Sequence, residues 1–215
     1  MSIFPNIFPA DGDNFYFERE LRSRGYKCVV GTDEVGRGPL AGPVVASCVS
    51  LPHHCDPSPF LDSKVTSHNQ RIKLADLLKC SGAVIGVGIV SHSRIDTVNI
   101  LQASLIAMKL AVFHHTKIFR HPDFILVDGK FEIPMDTHQQ PLIKGESKSA
   151  SIAAASIIAK LQRDGIMAQL HHRYPHYNFK QNKGYPTKQH RDAIAMFGPC
   201  PYHRQSFKGV REFVL

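Results

Sequence analysis

The sequence predicts a mixed α/β fold whose C-terminal part is helical. Three short Val-rich runs come first, followed by a long apolar helix, two further strand candidates, and helices toward the end of the chain. Strands that follow one another through short connections pair as antiparallel hairpins. This order of elements predicts helices packed in layers on a mixed sheet.

Periodicity and turn residues set the expected bounds of the elements. Strands are predicted at residues 27–32, 44–51, 83–90, 124–127 and 142–143. Helices are predicted at residues 15–24, 67–79, 96–114, 149–169 and 192–197. We expect an N-terminal arm at residues 1–26 and one domain at residues 27–215, which includes a basic helical region from about residue 160.

Composition excludes several classes of protein. The chain has 215 residues, of which 43% are hydrophobic and 20% charged, as in ordinary globular domains. Its longest run of apolar and small residues, 150–159, is about half the length of a bilayer span. The first residues lack the basic start and apolar run of a secretory signal. We therefore expect neither a membrane-spanning nor an exported protein.

Cysteine and histidine usage gives weaker indications. The five cysteines are widely spaced and form no CxxC pair, which argues against a disulfide framework or a structural zinc site. This usage favours a reducing, cytoplasmic location. Cys28 and Cys48 lie in apolar runs, where we expect core residues. The 13 histidines include no HExxH motif, and we interpret them as surface residues.

The positive charge is concentrated at one end of the chain. The net charge is +8, yet residues 160–215 alone carry ten Lys and Arg against three acids. Aromatic residues are interleaved with these charges: Tyr174, Tyr177, Phe179, Tyr185, Tyr202 and Phe207. Basic and aromatic side chains together suit nucleic acid, through phosphate contacts and stacking. A solvated basic helix that only keeps the protein in solution is the alternative, and charge alone does not decide.

Carboxylates follow three of the predicted strands. Asp33 and Glu34 come after the first, Asp128 after the fourth, and Glu146 near the fifth. Four carboxylates brought together repel one another unless a cation neutralises them, and oxygen ligands suit Mg²⁺ or Mn²⁺. A single Asp at a strand end is more often a turn or cap residue, which applies to Asp128 taken alone. The adjacent pair has no capping explanation, but both members can share one metal only if the strand bends there.

The segment DEVGRGPLAGPVVA at residues 33–46 resembles the opening motif of the ribonuclease HII family. Further matches follow in family order: DSK at 62–64, LVDG at 126–129, KGES at 144–147, AAASIIAK at 153–160 with RD at 163–164, KGYPT at 183–187 and HRQSF at 203–207. Together they cover nearly all of the chain.

The resemblance implies a ribonuclease H-like mixed five-stranded sheet flanked by helices, with a small helical C-terminal region. It implies an endonuclease that hydrolyses the RNA strand of RNA–DNA hybrids and cuts 5′ to single ribonucleotides in duplex DNA. Asp33, Glu34 and Asp128 match the family's catalytic metal-binding acids, which hold Mn²⁺ or Mg²⁺ for two-metal hydrolysis to a 3′-hydroxyl and a 5′-phosphate. Glu146 matches the fourth acid, which is usually Asp in this family and is Glu in ribonuclease HIII.

The resemblance also implies substrate-binding residues. Gly36, Arg37, Gly38 and Tyr185 match positions that recognise the RNA–DNA junction in the family. Lys64, Lys144, Lys160, Lys183 and Arg163 are candidates for phosphate contacts, with a purely structural role equally open for each. We expect Asp164 to be structural and paired with Arg163.

Two alternatives remain for the function. A binding module without catalysis would use the basic C-terminal part alone, but four carboxylates facing phosphates are unfavourable without metal. A related metal nuclease acting only on DNA would not need Gly36–Gly38 and Tyr185. The expected partners are RNA–DNA hybrid and ribonucleotide-containing duplex DNA, with no membrane and a monomer as the default state. A replication-clamp contact is not resolved, since no docking peptide is identified in VREFVL at residues 210–215.

Overall fold

The computed structural model describes residues 13–60 and 66–214. Its centre is one mixed sheet of five strands in the order β3-β2-β1-β4-β5. The strands are β1 (Val29–Val35), β2 (Val44–Ser50), β3 (Val84–Val90), β4 (Phe124–Asp128) and β5 (His138–Leu142). β2 pairs antiparallel with β1 and β3, whereas β4 is parallel to β1 and β5 is parallel to β4. The predicted mixed sheet and its antiparallel first three strands are confirmed.

Helices cover both faces of this sheet. They are α1 (Tyr16–Ser23), α2 (His68–Cys80), α3 (His92–Val98), α4 (Ile100–Ile118), α5 (Ala150–Arg173), α6 (Phe179–Asn182) and α7 (Lys188–Phe197). One core cluster joins α4 to the sheet, and a second joins α2 and α5 to it. A third cluster gathers the C-terminal helices around Met167, Tyr177 and Phe179.

The helix predicted at 96–114 is two helices. Asn99 separates α3 from α4 with a positive φ of 69°, and its side chain accepts a hydrogen bond from Gln102 N at 3.1 Å. Asn tolerates this left-handed region and caps helices well, so one residue ends α3 and begins α4. Apolar periodicity continues across the break, which is why the pattern predicts one helix.

The position predicted for the fifth strand from apolar residues, 142–143, is wrong. It lies at His138–Leu142, is mostly polar, and contains Pro141 opposite Val127. An edge strand has one unpaired side, where polar residues and proline are tolerated. Hydrophobic pattern alone therefore identifies only its last residue.

The first strand is longer than predicted. β1 continues through Asp33 and Glu34 to Val35, with Asp33 opposite Ser47 and Glu34 opposite Ala46 in β2. The two acids therefore lie inside a paired strand, not after its end. Antiparallel pairing with β2 holds the strand in place at this point.

The prediction that the histidines lie at the surface is wrong for three of them. His115, His190 and His203 are buried, while Cys28 and Cys48 are in the core as predicted. Each of these histidines has a hydrogen-bond partner that a sequence pattern does not reveal.

The N-terminal helix is part of the packed structure. Phe17 and Leu21 of α1 are buried against the sheet. Residues 1–12 lie outside the described part, so the arm boundary at residue 26 stays a prediction, and residue 160 lies inside α5. Across residues 13–60 and 66–214, the helices are not long and apolar enough to cross a membrane.

Candidate active site

Asp33 and Glu34 lie on the central strand of the sheet. The buried Asp33 carboxylate accepts a hydrogen bond from Glu34 N at 2.7 Å, and the Ser156 side chain of α5 also bonds to it. Glu34 Oε1 accepts a hydrogen bond from Arg37 at 3.1 Å. Glu34 Oε2 is buried and has no hydrogen-bond partner among the described residues. An orphaned carboxylate oxygen costs free energy unless a cation or donor reaches it.

Asp128 and Glu146 lie beside this pair on the neighbouring strand and the turn that follows β5. Asp128 ends β4, one residue past the Thr32–Val127 pairing of β1 and β4. Asp128 Oδ1 accepts a hydrogen bond from Gly145 N at 2.7 Å. Glu146 follows in a short 3-10 turn, so the backbone bond to Asp128 holds the turn that carries Glu146.

Two backbone features fix this turn. Lys144 adopts the left-handed conformation, with φ 57° and ψ 44°. A Cβ at Gly145 would lie 2.7 Å from Ile152 Cδ1 and 3.1 Å from Asp128 Oδ1. A side chain at this position would force the Ile152 side chain or the Asp128 carboxylate to move, so glycine lets the turn reach the carboxylate without displacing either.

The four acids share one electrostatic environment. Burial raises the pKa of Asp33 well above its usual value, and the charges of Glu34, Asp128 and Glu146 raise it further. Burial also raises the pKa of Glu34, against the lowering effect of the Arg37 guanidinium. The charges of the other three acids therefore all act on Asp33.

The acids do not form a closed cage for a metal ion. Within the described ranges, no three His, Cys, Asp or Glu side chains are close enough to one another to enclose one ion. Mg²⁺ in phosphoryl-transfer sites is held by only one or two carboxylates together with waters and substrate phosphates. The donor set therefore fits divalent ions that the acids and the substrate hold jointly.

A glycine-rich loop follows β1 and is held by the buried Arg204. The guanidinium donates to the carbonyl oxygens of Gly36 at 2.6 Å, Arg37 at 2.9 Å, Gly42 at 3.1 Å and Pro43 at 3.3 Å. Burial, and next the charge of Arg163, lower the pKa of Arg204 to about 9, so the side chain is protonated at neutral pH. Its charge is thus satisfied by backbone carbonyls.

A second buried arginine supports the same loop. Arg163 of α5 donates to the carbonyl oxygens of Pro43 at 3.0 Å, Ala41 at 3.1 Å and Lys183 at 2.9 Å. Gly36 has φ 99°, and a Cβ there would overlap Arg163 and lie 2.9 Å from Pro43 O. The arginine packs directly on the glycine, so this position cannot carry a side chain.

Tyr185 lies beside the glycine loop. A Cβ at Gly38 would lie 3.5 Å from Tyr185 Cε1, which is ordinary van der Waals contact. The segments are joined by the hydrogen bond from Leu40 N to Gly184 O at 2.8 Å. The Tyr185 side chain remains 42% exposed, so part of the ring is available to a ligand.

Several predicted phosphate contacts are corrected or untested. Arg163 is fully buried with three carbonyl partners, so of the two roles left open for it the structure gives the structural one. Asp164 pairs with Lys160, at 2.7 Å, instead of with Arg163. Lys144 is exposed next to Glu146, whereas Lys64 lies outside the described residues.

Sequence reasoning missed three contributors to the site. Arg204 and His203 belong to the matched HRQSF segment, but nothing in the segment indicates that both are buried. Ser156 lies in the matched AAASIIAK segment, and its side chain bonds to Asp33. A polar residue inside an otherwise apolar helix was the available signal for Ser156.

The site combines acids on two adjacent strands of a mixed sheet with a glycine loop and an exposed tyrosine. This combination is that of a metal-dependent nuclease of ribonuclease H-like fold. The family model of ribonuclease HII matches residues 30–210. The chain is 57% identical over 212 residues to the ribonuclease HII of Desulfotalea psychrophila, covering 99% of this chain and 94% of the relative. It is 44% identical over 197 residues to that of Bacillus subtilis, covering 92% and 76%. The chain therefore belongs to the ribonuclease HII family.

Solved structures agree on the fold. The ribonuclease H2 of Pyrococcus horikoshii OT3 is similar with a TM-score of 0.70 at 24% identity, covering 86% of this chain and 96% of that one. Bst-RNase HIII, solved in complex with Mn²⁺, is similar with a TM-score of 0.70 at 19% identity, covering 87% and 69%. The protein is thus a metal-dependent type 2 ribonuclease H, an endonuclease acting on RNA–DNA hybrids.

Proposed function

We propose that this enzyme also cuts duplex DNA on the 5′ side of single embedded ribonucleotides, by a two-metal reaction that leaves a 3′-hydroxyl and a 5′-phosphate. The observation that carries the proposal is the position of the exposed Tyr185 ring beside the glycine loop that continues from the strand acids, where a Cβ built on Gly38 would lie 3.5 Å from Tyr185 Cε1. The exposed ring on one side and the glycine backbone on the other bound a narrow surface that can test one sugar at a time.

The acids are the proposed holders of the metal ions. Asp33, Glu34, Asp128 and Glu146 supply only oxygen ligands, which Mg²⁺ and Mn²⁺ prefer. The orphaned Glu34 Oε2 and the mutual repulsion around Asp33 both favour a bound cation. When bound, such ions make a water molecule more acidic and stabilise the leaving 3′-oxygen. Among the described residues, Arg37 is the cation that pairs with Glu34, and its side chain is half-exposed. It can therefore move to a substrate phosphate when a metal ion neutralises Glu34.

The glycine loop is the proposed site for the ribose 2′-hydroxyl. The Gly36 and Arg37 carbonyl oxygens bond to Arg204. In a trans peptide the N–H points opposite to the C=O, so the Arg37 and Gly38 amides point away from Arg204 and can donate to a substrate. The 2′-hydroxyl is the sugar group that distinguishes RNA from DNA. Glycine at position 38 allows a nucleic-acid strand to approach the backbone closely.

Tyr185 is proposed to select deoxyribose on the 3′ side of that ribose. A ring packed on a sugar leaves no space for a further hydroxyl group. Sugar packing on an aromatic face is insensitive to the base, which suits an enzyme that repairs ribonucleotides in any sequence. Exposed Lys144 next to Glu146 is a proposed phosphate contact, and the same role is proposed for Lys64.

The experiment compares the two substrates with and without the tyrosine ring. For Tyr185→Ala we expect the kcat/KM for one embedded ribonucleotide to fall about fivefold or more relative to the kcat/KM for a continuous RNA–DNA hybrid, because an aromatic stacking contact is worth ~1–3 kcal/mol. Phe113→Ala, at an exposed aromatic of α4, is the matched control and should leave the ratio unchanged. Equal losses on both substrates would remove the junction role of Tyr185.

We further propose a monomer that works in the cytoplasm. Cys28, Cys48, Cys55, Cys80 and Cys200 are all free, which suits a reducing compartment. The ribonuclease HII of Archaeoglobus fulgidus was solved as a complex with PCNA, at 22% identity to this chain. A similarity at this identity shows a shared fold only, and we therefore propose no clamp partner from it.

A further inference from the structure

Two buried histidines connect the backbone of Tyr185 to the C-terminal segment. His190 Nδ1 lies 2.9 Å from the Tyr185 carbonyl oxygen. His190 Nε2 lies 3.0 Å from His203 Nε2, and His203 Nδ1 lies 2.9 Å from the backbone N of Cys200. The contacts form one chain of hydrogen bonds that ends at the tyrosine.

Only one arrangement of protons satisfies all three contacts with neutral rings. The Cys200 N–H can only donate, so His203 Nδ1 accepts; the alternative contact with Cys200 O is longer, at 3.3 Å. His203 then carries its proton on Nε2 and donates to His190 Nε2. His190 must therefore carry its proton on Nδ1, where it donates to the Tyr185 carbonyl.

The surroundings keep both rings neutral and fixed. His190 and His203 are 0% and 1% exposed. Tyr177 packs edge-on to His203 with ring centroids 4.8 Å apart, and Phe179 packs edge-on to His190 at 5.4 Å. Burial lowers the pKa of both histidines, that of His203 to about 4. At neutral pH the hydrogen-bond direction is thus fixed by structure.

The same segment also holds the glycine loop. Arg204 directly follows His203, and its side chain holds Gly36 and Arg37. Backbone contacts hold the loop as well. His203 forms an isolated antiparallel β-bridge with Ala41, and Arg204 N donates a hydrogen bond to Leu40 O at 2.8 Å. Two consecutive residues, His203 and Arg204, therefore connect to the Tyr185 backbone and to the glycine loop.

We propose that His190 and His203 are positioning residues that set the spacing between the Tyr185 ring and the glycine loop, and through it the selectivity for a single ribonucleotide. The inference rests on the proposed role of Tyr185 in junction recognition. The histidines touch no substrate; they hold the tyrosine backbone in register with the loop that Arg204 holds.

The test uses two substitutions that each keep one end of the His190 ring. His190→Asn keeps a donor near the position of Nδ1, within reach of the Tyr185 carbonyl. His190→Gln keeps a group near the position of Nε2, within reach of His203, but lacks the donor to the carbonyl. We expect the kcat/KM ratio of embedded ribonucleotide to hybrid to fall about fivefold to tenfold in His190→Gln, the size of one lost hydrogen bond, and to stay within about twofold of wild type in His190→Asn.

A double-substitution cycle separates positioning from general stability. In a Tyr185→Ala background, His190→Gln should cause no further loss of the ratio, because the residue it positions is absent. An equal loss of the ratio with and without the Tyr185 ring, or an unchanged ratio in His190→Gln, would overturn the proposal. If the His190 variants do not fold, His203→Gln, which keeps the donor to His190, must retain the ratio while His203→Leu loses it; the reverse overturns the proposal.

The outcomes also distinguish this inference from the proposed function. Failure of the wild-type enzyme to cut at an embedded ribonucleotide would contradict the proposed function itself. A second outcome is that the wild-type preference for an embedded ribonucleotide over the hybrid is lost in Tyr185→Ala but kept in His190→Gln. That outcome would leave the proposed function standing and reject the positioning role.

Discussion

The Arg204 guanidinium donates a hydrogen bond of 2.6 Å to the carbonyl oxygen of Gly36, although 168 residues separate the two in the chain. This bond attaches the C-terminal segment to the loop directly beyond the strand acids. A buried arginine ordinarily needs partners that offset its charge. Here four backbone carbonyl oxygens are those partners, and the ion pair with Glu34 is made by Arg37 instead.

Arg204→Lys should disrupt this attachment. Lysine carries one compact ammonium group and cannot reproduce the planar fork that reaches four carbonyl oxygens. We expect the free energy of unfolding to fall by roughly 2–4 kcal/mol and both nuclease activities to fall with it. Chemical denaturation and hybrid cleavage measure the two effects. Arg211→Lys changes an exposed arginine and should alter neither; an Arg204→Lys protein of wild-type stability would contradict the account.

Asp33→Asn should abolish cleavage and yet stabilise the metal-free protein. The pKa of Asp33 is raised by burial and by three neighbouring carboxylates, so its charge opposes folding when no cation is present. We expect the melting temperature in chelator to rise in Asp33→Asn, and the further rise on adding Mn²⁺ to be much smaller than in wild type. Asp76→Asn removes an exposed carboxylate as the control. A lower melting temperature in chelator would count against like-charge repulsion at this site.

His115 should make the fold sensitive to acid. Burial lowers the pKa of His115 from its ordinary 6.5 to about 4. Between these values the unfolded chain binds more protons than the folded one, so the stability due to neutral His115 is complete above pH 6.5 and is lost as pH falls toward 4. The loss between pH 7 and pH 5 is about 1–2 kcal/mol for this one group.

The variant that tests this is His115→Gln. Glutamine does not titrate, and it can keep the contact that His115 Nε2 makes with Ser50 Oγ at 2.8 Å. Denaturation curves at pH 7 and pH 5 should therefore show a smaller acid loss than in wild type. His54→Gln changes an exposed histidine for comparison. The same acid loss in His115→Gln as in wild type would show that the buried ring does not cause it.

Glu146→Asp should change the metal preference. Glutamate is one methylene longer than the aspartate that the motif resemblance leads us to expect at this position, and its turn is anchored by the bond from Gly145 N to Asp128. Because Mg²⁺ demands near-ideal octahedral geometry, we expect it to tolerate a longer side chain on a fixed turn less well than Mn²⁺ does. We expect wild type to be more active with Mn²⁺, and Glu146→Asp to narrow the difference. An unchanged ratio of the two activities would reject this explanation.

Most of the fold and the positions of the acids follow from local sequence. Val-rich runs and the DEVGRG segment locate β1, β2 and the acidic pair without tertiary information. The predictions are wrong where contacts between distant parts of the chain determine the structure. Arg163 and Arg204 look like surface cations, because a sequence pattern does not reveal the carbonyl groups that satisfy them. β5 is polar because it lies at the sheet edge, a property of topology and not of the segment itself.

The central claim is tested most directly by cleavage of duplex DNA that contains one ribonucleotide. The wild-type enzyme and Asp33→Asn are assayed with Mg²⁺, Mn²⁺ or chelator, beside an all-DNA duplex. The account predicts a single metal-dependent cut on the 5′ side of the ribonucleotide by the wild type, with none in the all-DNA duplex and none by Asp33→Asn. Cleavage in chelator, full activity of Asp33→Asn, or binding of the substrate without any cut would contradict it.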